Sequence, residues 1–367
     1  MKLPMQIVGS IQTKSEVLQS MLCRDADKPD EALIHWWGSL ENRGAIQVKL
    51  VETAKHSYAL EPQIYFSCNP TGGLIVPPLS PEKIEEIKGY SATLNVTRSL
   101  ISGTWGNNKG EGGQIQFNWP KSKRKLKTKK LKSWSEFKKW ASDTHSENKF
   151  TSFRGHGCNK FTLETTLHRT GRTRLDRFAN ETIPEFRDNS EAILNLKFDP
   201  NDAQDYSTVL GLAQHHGLPT PLLDWTASPY IAAFFAFSDA LENKEIRQNS
   251  THVRIFGLHE RISLNSPRIV SIAHVQPYAC YLRIAPRSNA RLYAQQGRFL
   301  VTNQLDVEAY IEVLELNWNE KLLVAVDVPI SCAIEALKDL HFMGLTAATM
   351  FPGLDGVCKM MKYQMYF

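Results

Sequence analysis

Leu210–Phe237, LGLAQHHGLPTPLLDWTASPYIAAFFAF, reads as helix, break, strand, turn, helix. Gly217 ends the first helix, and Pro219 prevents its return. Leu222–Thr226 (LLDWT) is a short strand. Ser228 is placed to cap the next helix, with Pro229 at its first position. Ile231–Phe237 is apolar nearly all round, which predicts a buried helix. Polar groups gather at the joints of this unit: Gln214, His215, His216, Asp224, Thr226 and Ser228. A helix N-terminus carrying hydroxyls is a binding place for an anionic or polar ligand. Adjacent histidines face different sides of a helix, and no acid or cysteine stands at ligand spacing, so no metal site is predicted. One histidine is read as a hydrogen-bonded structural group and the other as lining a cleft.

Working outward, Phe150–Gly157 (FTSFRGHG) predicts a buried strand with Arg154-Gly155 at its end. An arginine there can meet a phosphate or ribose, because glycine keeps the backbone approach open; a surface salt bridge at a turn is the alternative. Arg291–Val301 (RLYAQQGRFLV) sets Gln295 and Gln296 before Gly297 and a strand at Phe299–Val301. Those amides can bind a ribose or simply form a turn. LTAATMFPGLDG, from Leu345, predicts a strand and a proline-containing turn before a C-terminal helix.

Further upstream, residues 121–132 (KSKRKLKTKKLK) hold eight basic groups and no acid, within a net charge of +5 over 367 residues. The rest of the chain is therefore net acidic. This run is predicted to be a solvated linker between residues 1–120 and 133–367, with phosphate tracking on a nucleic acid as the alternative. An amphipathic helix follows near Trp134–Ser142, capped by Ser133. Before the run, Ala45–Glu52, Gln63–Ser67, Ser91–Thr97 and Gln114–Trp119 read as strands separated by Gly- and Asn-rich turns. They predict a small antiparallel sandwich or barrel, with one short helix after Ser80-Pro81. Trp36, Trp37, Trp105 and Trp119 are read as its large core side chains rather than as an aromatic ligand surface. The fold class is thus α+β: a β-rich recognition module and a mixed second domain.

Composition bounds the function. At 42% hydrophobic and 22% charged residues, the chain is of the soluble globular type. Its longest apolar run, Tyr230–Phe237, is far short of the ~20 residues that cross a membrane, and Met1-Lys2-Leu3-Pro4 lacks the apolar block of a signal peptide. The six cysteines form no CxxC pair, so neither a zinc ribbon nor a disulfide framework is expected, and a reducing cytoplasm is.

Over residues 134–365 the chain resembles the FRG family, named for its Phe-Arg-Gly triplet. The resemblance rests on Phe153-Arg154-Gly155, Gln214–Thr220 (QHHGLPT), Leu222–Thr226, Ser228-Pro229, Ala233, Phe235-Ala236, Arg291, Gln295, Gly297, Phe299, Phe351-Pro352 and Leu354–Gly356. The family usually has an arginine where this chain has Pro221. The order of these parts is also similar to that of mono-ADP-ribosyltransferases. That similarity implies Arg154 and Gly155 at the phosphates or nicotinamide ribose of NAD, Thr226 and Ser228 ordering the nicotinamide pocket with Asp224 nearby, and Gln295 where a transferase has glutamate. His215 or His216 would activate the acceptor, a nucleic acid or a protein. The implied role is a toxin or defence effector whose N-terminal module meets an inhibitor or sensor partner. The alternatives are a nucleic-acid-binding or nuclease module, and a non-catalytic nucleotide-sensing or interaction module.

Overall fold

The computed structural model describes residues 3–39, 42–119, 126–146, 150–263, 271–282 and 290–365. Its N-terminal sheet comprises β1 (Gln6–Gln12), β2 (Val17–Asp25), β3 (Lys28–Trp37), β4 (Arg43–Ala54), β5 (Ser57–Cys68), β6 (Leu74–Ile75), β7 (Ser91–Val96), β8 (Leu100–Gly106) and β9 (Gly112–Asn118). The order is β4-β3-β2-β1-β9-β8-β7-β5-β6, and β4 also pairs with β5. That pairing closes eight strands into an antiparallel barrel, with β6 attached to β5. Alternate side chains, among them Leu22, Leu94, Ile101 and Phe117, are buried in its core. At Gly103 an added Cβ would lie 1.7 Å from the Thr93 carbonyl oxygen, so glycine is required for the strands to coil this closely.

Strands β1–β3 escaped the sequence reading for a physical reason. In β2 and β3 consecutive residues are buried, Ser20–Cys23 and Ala32–His35, and Leu33 packs with Ala273 and Val275 from the far half of the chain. Burial on both faces erases the polar alternation that marks a strand. The tryptophans are not the core. All four are only half-buried, and Trp105 and Trp119 donate from Nε1 to the carbonyls of Gln12 and Thr97, both at 2.9 Å. Leucine, isoleucine and phenylalanine fill the interior instead.

The second sheet comprises β10 (Lys129–Lys130), β11 (Phe150–His156), β12 (Leu222–Thr226), β13 (His252–His259), β14 (Ala279–Leu282), β15 (Gly297–Thr302) and β16 (Leu323–Pro329), in the order β10-β16-β13-β11-β12-β15-β14. Among the described residues, only the β10–β16 pair is parallel. One face carries the helices Trp134–Ser146, Pro229–Glu242 and Ala333–Phe342, packed around Phe153, Ile255 and Val326. The other carries the helix Val307–Trp318, around Trp225, Phe256 and Leu300. The fold is therefore α+β.

Three local expectations differ from the structure. Arg154 and Gly155 lie inside β11, paired with Phe256 and Ile255, because β13 extends the ladder to His156. Ala347–Met350 is a short helix, not a strand. The Thr346 and Thr349 side chains each accept the other's backbone N–H, and this capping outweighs β-branched content. Of the basic run, residues 121–125 lie outside the described residues, while Lys129–Lys130 form β10 and Leu131 is buried against the helical core. Among the described residues, no helix is long and apolar enough to cross a membrane, and no three His, Cys, Asp or Glu side chains cluster as metal ligands would.

Candidate functional site

A cavity of about 430 Å³ opens where β11, β12 and the Pro229–Glu242 helix meet the end of the Ala203–His215 helix, residues 291–295 and Phe351. Its lining includes Arg154, Gly155, Gln214, His215, Asp224, Thr226 and Gln295. His216 and Ser228 are not part of the lining.

The Arg154 guanidinium is held by neutral groups. Its Nε donates to His156 Nε2 at 3.0 Å, and its Nη1 donates to the Asp224 backbone carbonyl. Burial pulls the His156 pKa down to about 3, with the charge of Arg154 adding to the effect, so the ring stays neutral and can accept this bond. Arg154 makes no ion pair among the described residues. Burial lowers its pKa, partly opposed by the nearby Asp224 carboxylate. Asp224 is exposed to the cavity, and its Oδ2 accepts from Gln214 Nε2 at 2.8 Å. Gln214 is fixed in turn by the Thr220 hydroxyl, which donates to its amide oxygen.

Other polar groups are engaged in building the site. The Thr226 hydroxyl donates to the Gln295 carbonyl at 2.8 Å and accepts from the Ser228 N–H at 3.2 Å. Ser228 Oγ accepts from the Ile231 N–H, which makes it a helix cap. The Gln295 amide nitrogen donates to the Met350 carbonyl at 2.9 Å, leaving its side-chain oxygen to meet a ligand. Gly155 serves packing: an added Cβ would lie 1.9 Å from the Ala232 carbonyl oxygen, where the buried helix crosses the strand.

Asp239, Arg291 and Phe351 received no role from sequence, yet all line the cavity. Asp239 shares a helix face with Ala232 and Phe235, a spacing of three and four that could have revealed it. Burial raises its carboxyl pKa, a neighbouring Gly157 N–H opposes this, and Glu242 adds to it. The Arg291 guanidinium carbon sits 4.6 Å from the centre of the Phe351 ring, and Arg291 makes no ion pair among the described residues. His215 is exposed at the rim. Partial burial, then Arg291, then His216 depress its pKa, favouring the neutral ring that accepts a proton.

The cavity thus combines two guanidinium groups without ion pairs, two carboxylates, an imidazole and a carboxamide oxygen, walled by aromatic rings. No curated protein and no solved structure matches the chain. Residues 149–245 match the FRG domain family, a narrower stretch than the 134–365 over which the motifs run. The matched stretch supplies Arg154, Gln214, His215, Asp224 and Asp239, while Arg291, Gln295 and Phe351 reach the cavity from beyond it. The chain therefore carries an FRG domain, and the cavity is centred on it.

Proposed function

We propose that this cavity binds NAD and transfers its ADP-ribosyl group to an acceptor, as a toxin or defence effector would. The observation that carries the reading is the convergence of Arg154 and Arg291, neither in an ion pair, on one partly enclosed cavity. Such a pair calls for an anionic ligand, and a planar guanidinium matches a pyrophosphate oxygen pair. In the reaction, the bond between ribose C1′ and the nicotinamide nitrogen breaks. The nicotinamide leaves with the bonding pair as a neutral ring, and C1′ becomes oxocarbenium-like. The acceptor then bonds to C1′ and gives up a proton, for which neutral His215 is the nearby base.

Gln295 can accept from a ribose hydroxyl but brings no charge to the cation. Asp224 and Asp239 supply it instead. A carboxylate ~5 Å from a cation contributes about 3 kcal/mol at an effective dielectric of ~20.

The test is nicotinamide release from NAD, run alongside a thermal shift with NAD. Wild type is expected to release nicotinamide and to melt higher with NAD. Arg154→Ala, checked for folding by circular dichroism, is expected to lose both. Labelled NAD offered with nucleic acid or with protein then identifies the acceptor class. Binding without nicotinamide release would make the domain a nucleotide sensor, and absence of binding would remove NAD from the proposal.

A further inference from the structure

The barrel is hollow at one end. Ile11 and Leu18 line a cavity of about 320 Å³, at the opposite end of β1 and β2 from Gln6 and Asp25. All eight barrel strands contribute to it, and the Pro81–Lys88 helix lies across it with Lys83 and Ile87 facing in. Ile34, Val48 and Ile115 make its apolar depth. Two aromatic pairs wall it: Trp36 with Tyr65, ring centres 6.2 Å apart, and Tyr90 stacked with Trp105 at 6.0 Å and 20°.

A barrel that needed only a core would fill this end as it fills the other. Eight strands leave room for one small ligand when side chains do not fill the interior. A second observation points the same way. The hydroxyls of Tyr65 and Tyr90 and the indole N–H of Trp36 make no hydrogen bond to protein among the described residues, whereas Trp105 and Trp119 both do. Both cations at the rim already have protein partners. Lys83 pairs with Glu86 at 3.1 Å, and Arg43 donates to the carbonyls of Asn69 and Pro70, both at 3.0 Å.

We infer that the barrel interior is a binding site for one small, planar, uncharged and largely apolar molecule carrying hydrogen-bonding groups. The four rings provide stacking surface, the aliphatic depth takes the apolar body, and the two phenols and one indole fix its orientation. This site is separate from the FRG cavity and stands whether or not that cavity takes NAD.

The test is a titration of the full chain with the neutral fluorophore N-phenyl-1-naphthylamine. Saturable emission at one dye per chain is expected. Ala92 lines the cavity opposite Leu60 and Trp105, so Ala92→Phe should fill it and weaken binding by at least about ten-fold. Trp36→Leu, which removes a ring without adding volume, should also weaken binding, and it serves if Ala92→Phe does not fold. Arg154→Ala should bind the dye as wild type does. The inference fails if no saturable binding occurs, if a folded Ala92→Phe or Trp36→Leu protein binds as tightly as wild type, or if Arg154→Ala abolishes binding.

Discussion

His168 is 2% exposed, and neither ring nitrogen has a hydrogen-bond partner among the described residues. Burial pulls its pKa down to about 4, and burial does the same to His35, also to about 4. Both folded-state values lie below the unfolded value near 6.5, so the unfolded chain binds more protons between them. Stability is then complete above pH ~6.5 and is lost as the pH falls towards 4, by on the order of 3 kcal/mol per histidine. His168→Leu should remove one share of that loss. Urea midpoints at pH 7 and pH 4.5 measure it, and an undiminished drop in the variant would refute the assignment. Such a histidine illustrates the limit of residue-level reading. HHG at 215–217 drew attention because it sits in a motif, whereas the histidines buried furthest from water stand in unremarkable sequence.

The crossing of β11 by the Pro229–Glu242 helix organises the FRG cavity. The Ala232 carbonyl and Ala236 Cβ press against Gly155, the apolar run Ile231–Phe237 buries the helix, and Phe235 and Asp239 enter the lining. The contact is close enough that position 155 has no room for a side chain. Gly155→Ala should therefore destabilise the fold by about 1–3 kcal/mol or more through overpacking. A lowered urea midpoint, with NAD affinity retained in the folded fraction, is the expected result. An unchanged midpoint together with lost affinity would return the glycine to ligand approach. The helix was legible because its cap, its proline and its apolarity are local features. Ser228 was legible as the helix cap, whereas the bond from the Thr226 hydroxyl to the Gln295 carbonyl was not.

The barrel and the second sheet are joined by a buried polar network. Asp25 is 1% exposed and accepts from the backbone N–H groups of Thr173 and Arg174, at 2.8 and 2.9 Å, and from Arg177 at 2.7 Å. Arg174, 2% exposed, reaches Glu31 and Gln47 on the barrel, both at 2.8 Å, and Asp176 at 2.7 Å. Removing one member leaves buried charges and N–H groups uncompensated. Asp25→Ala should cost about 3–5 kcal/mol and split one unfolding transition into two. A variant that unfolds in one transition at the wild-type midpoint would show that the halves do not depend on this network. The hollow end of the barrel faces away from this junction, so the second cavity remains open to solvent-borne ligand.

Sequence by itself determined the α+β class, the strand-turn-helix unit around LLDWT and its caps, and the motif residues that line the FRG cavity. These depend on periodicity, on turn and cap chemistry, and on short-range steric rules, all contained within a few neighbouring residues. Tertiary structure alone decided that Arg154 rests on a histidine and a carbonyl, that Asp239 and Arg291 join it, that Asp25 meets Arg174, and that Trp36 and Trp105 rim a hollow. Each of these needs two backbones, far apart in the chain, brought within hydrogen-bonding or van der Waals reach, and no local pattern encodes which distant partner arrives.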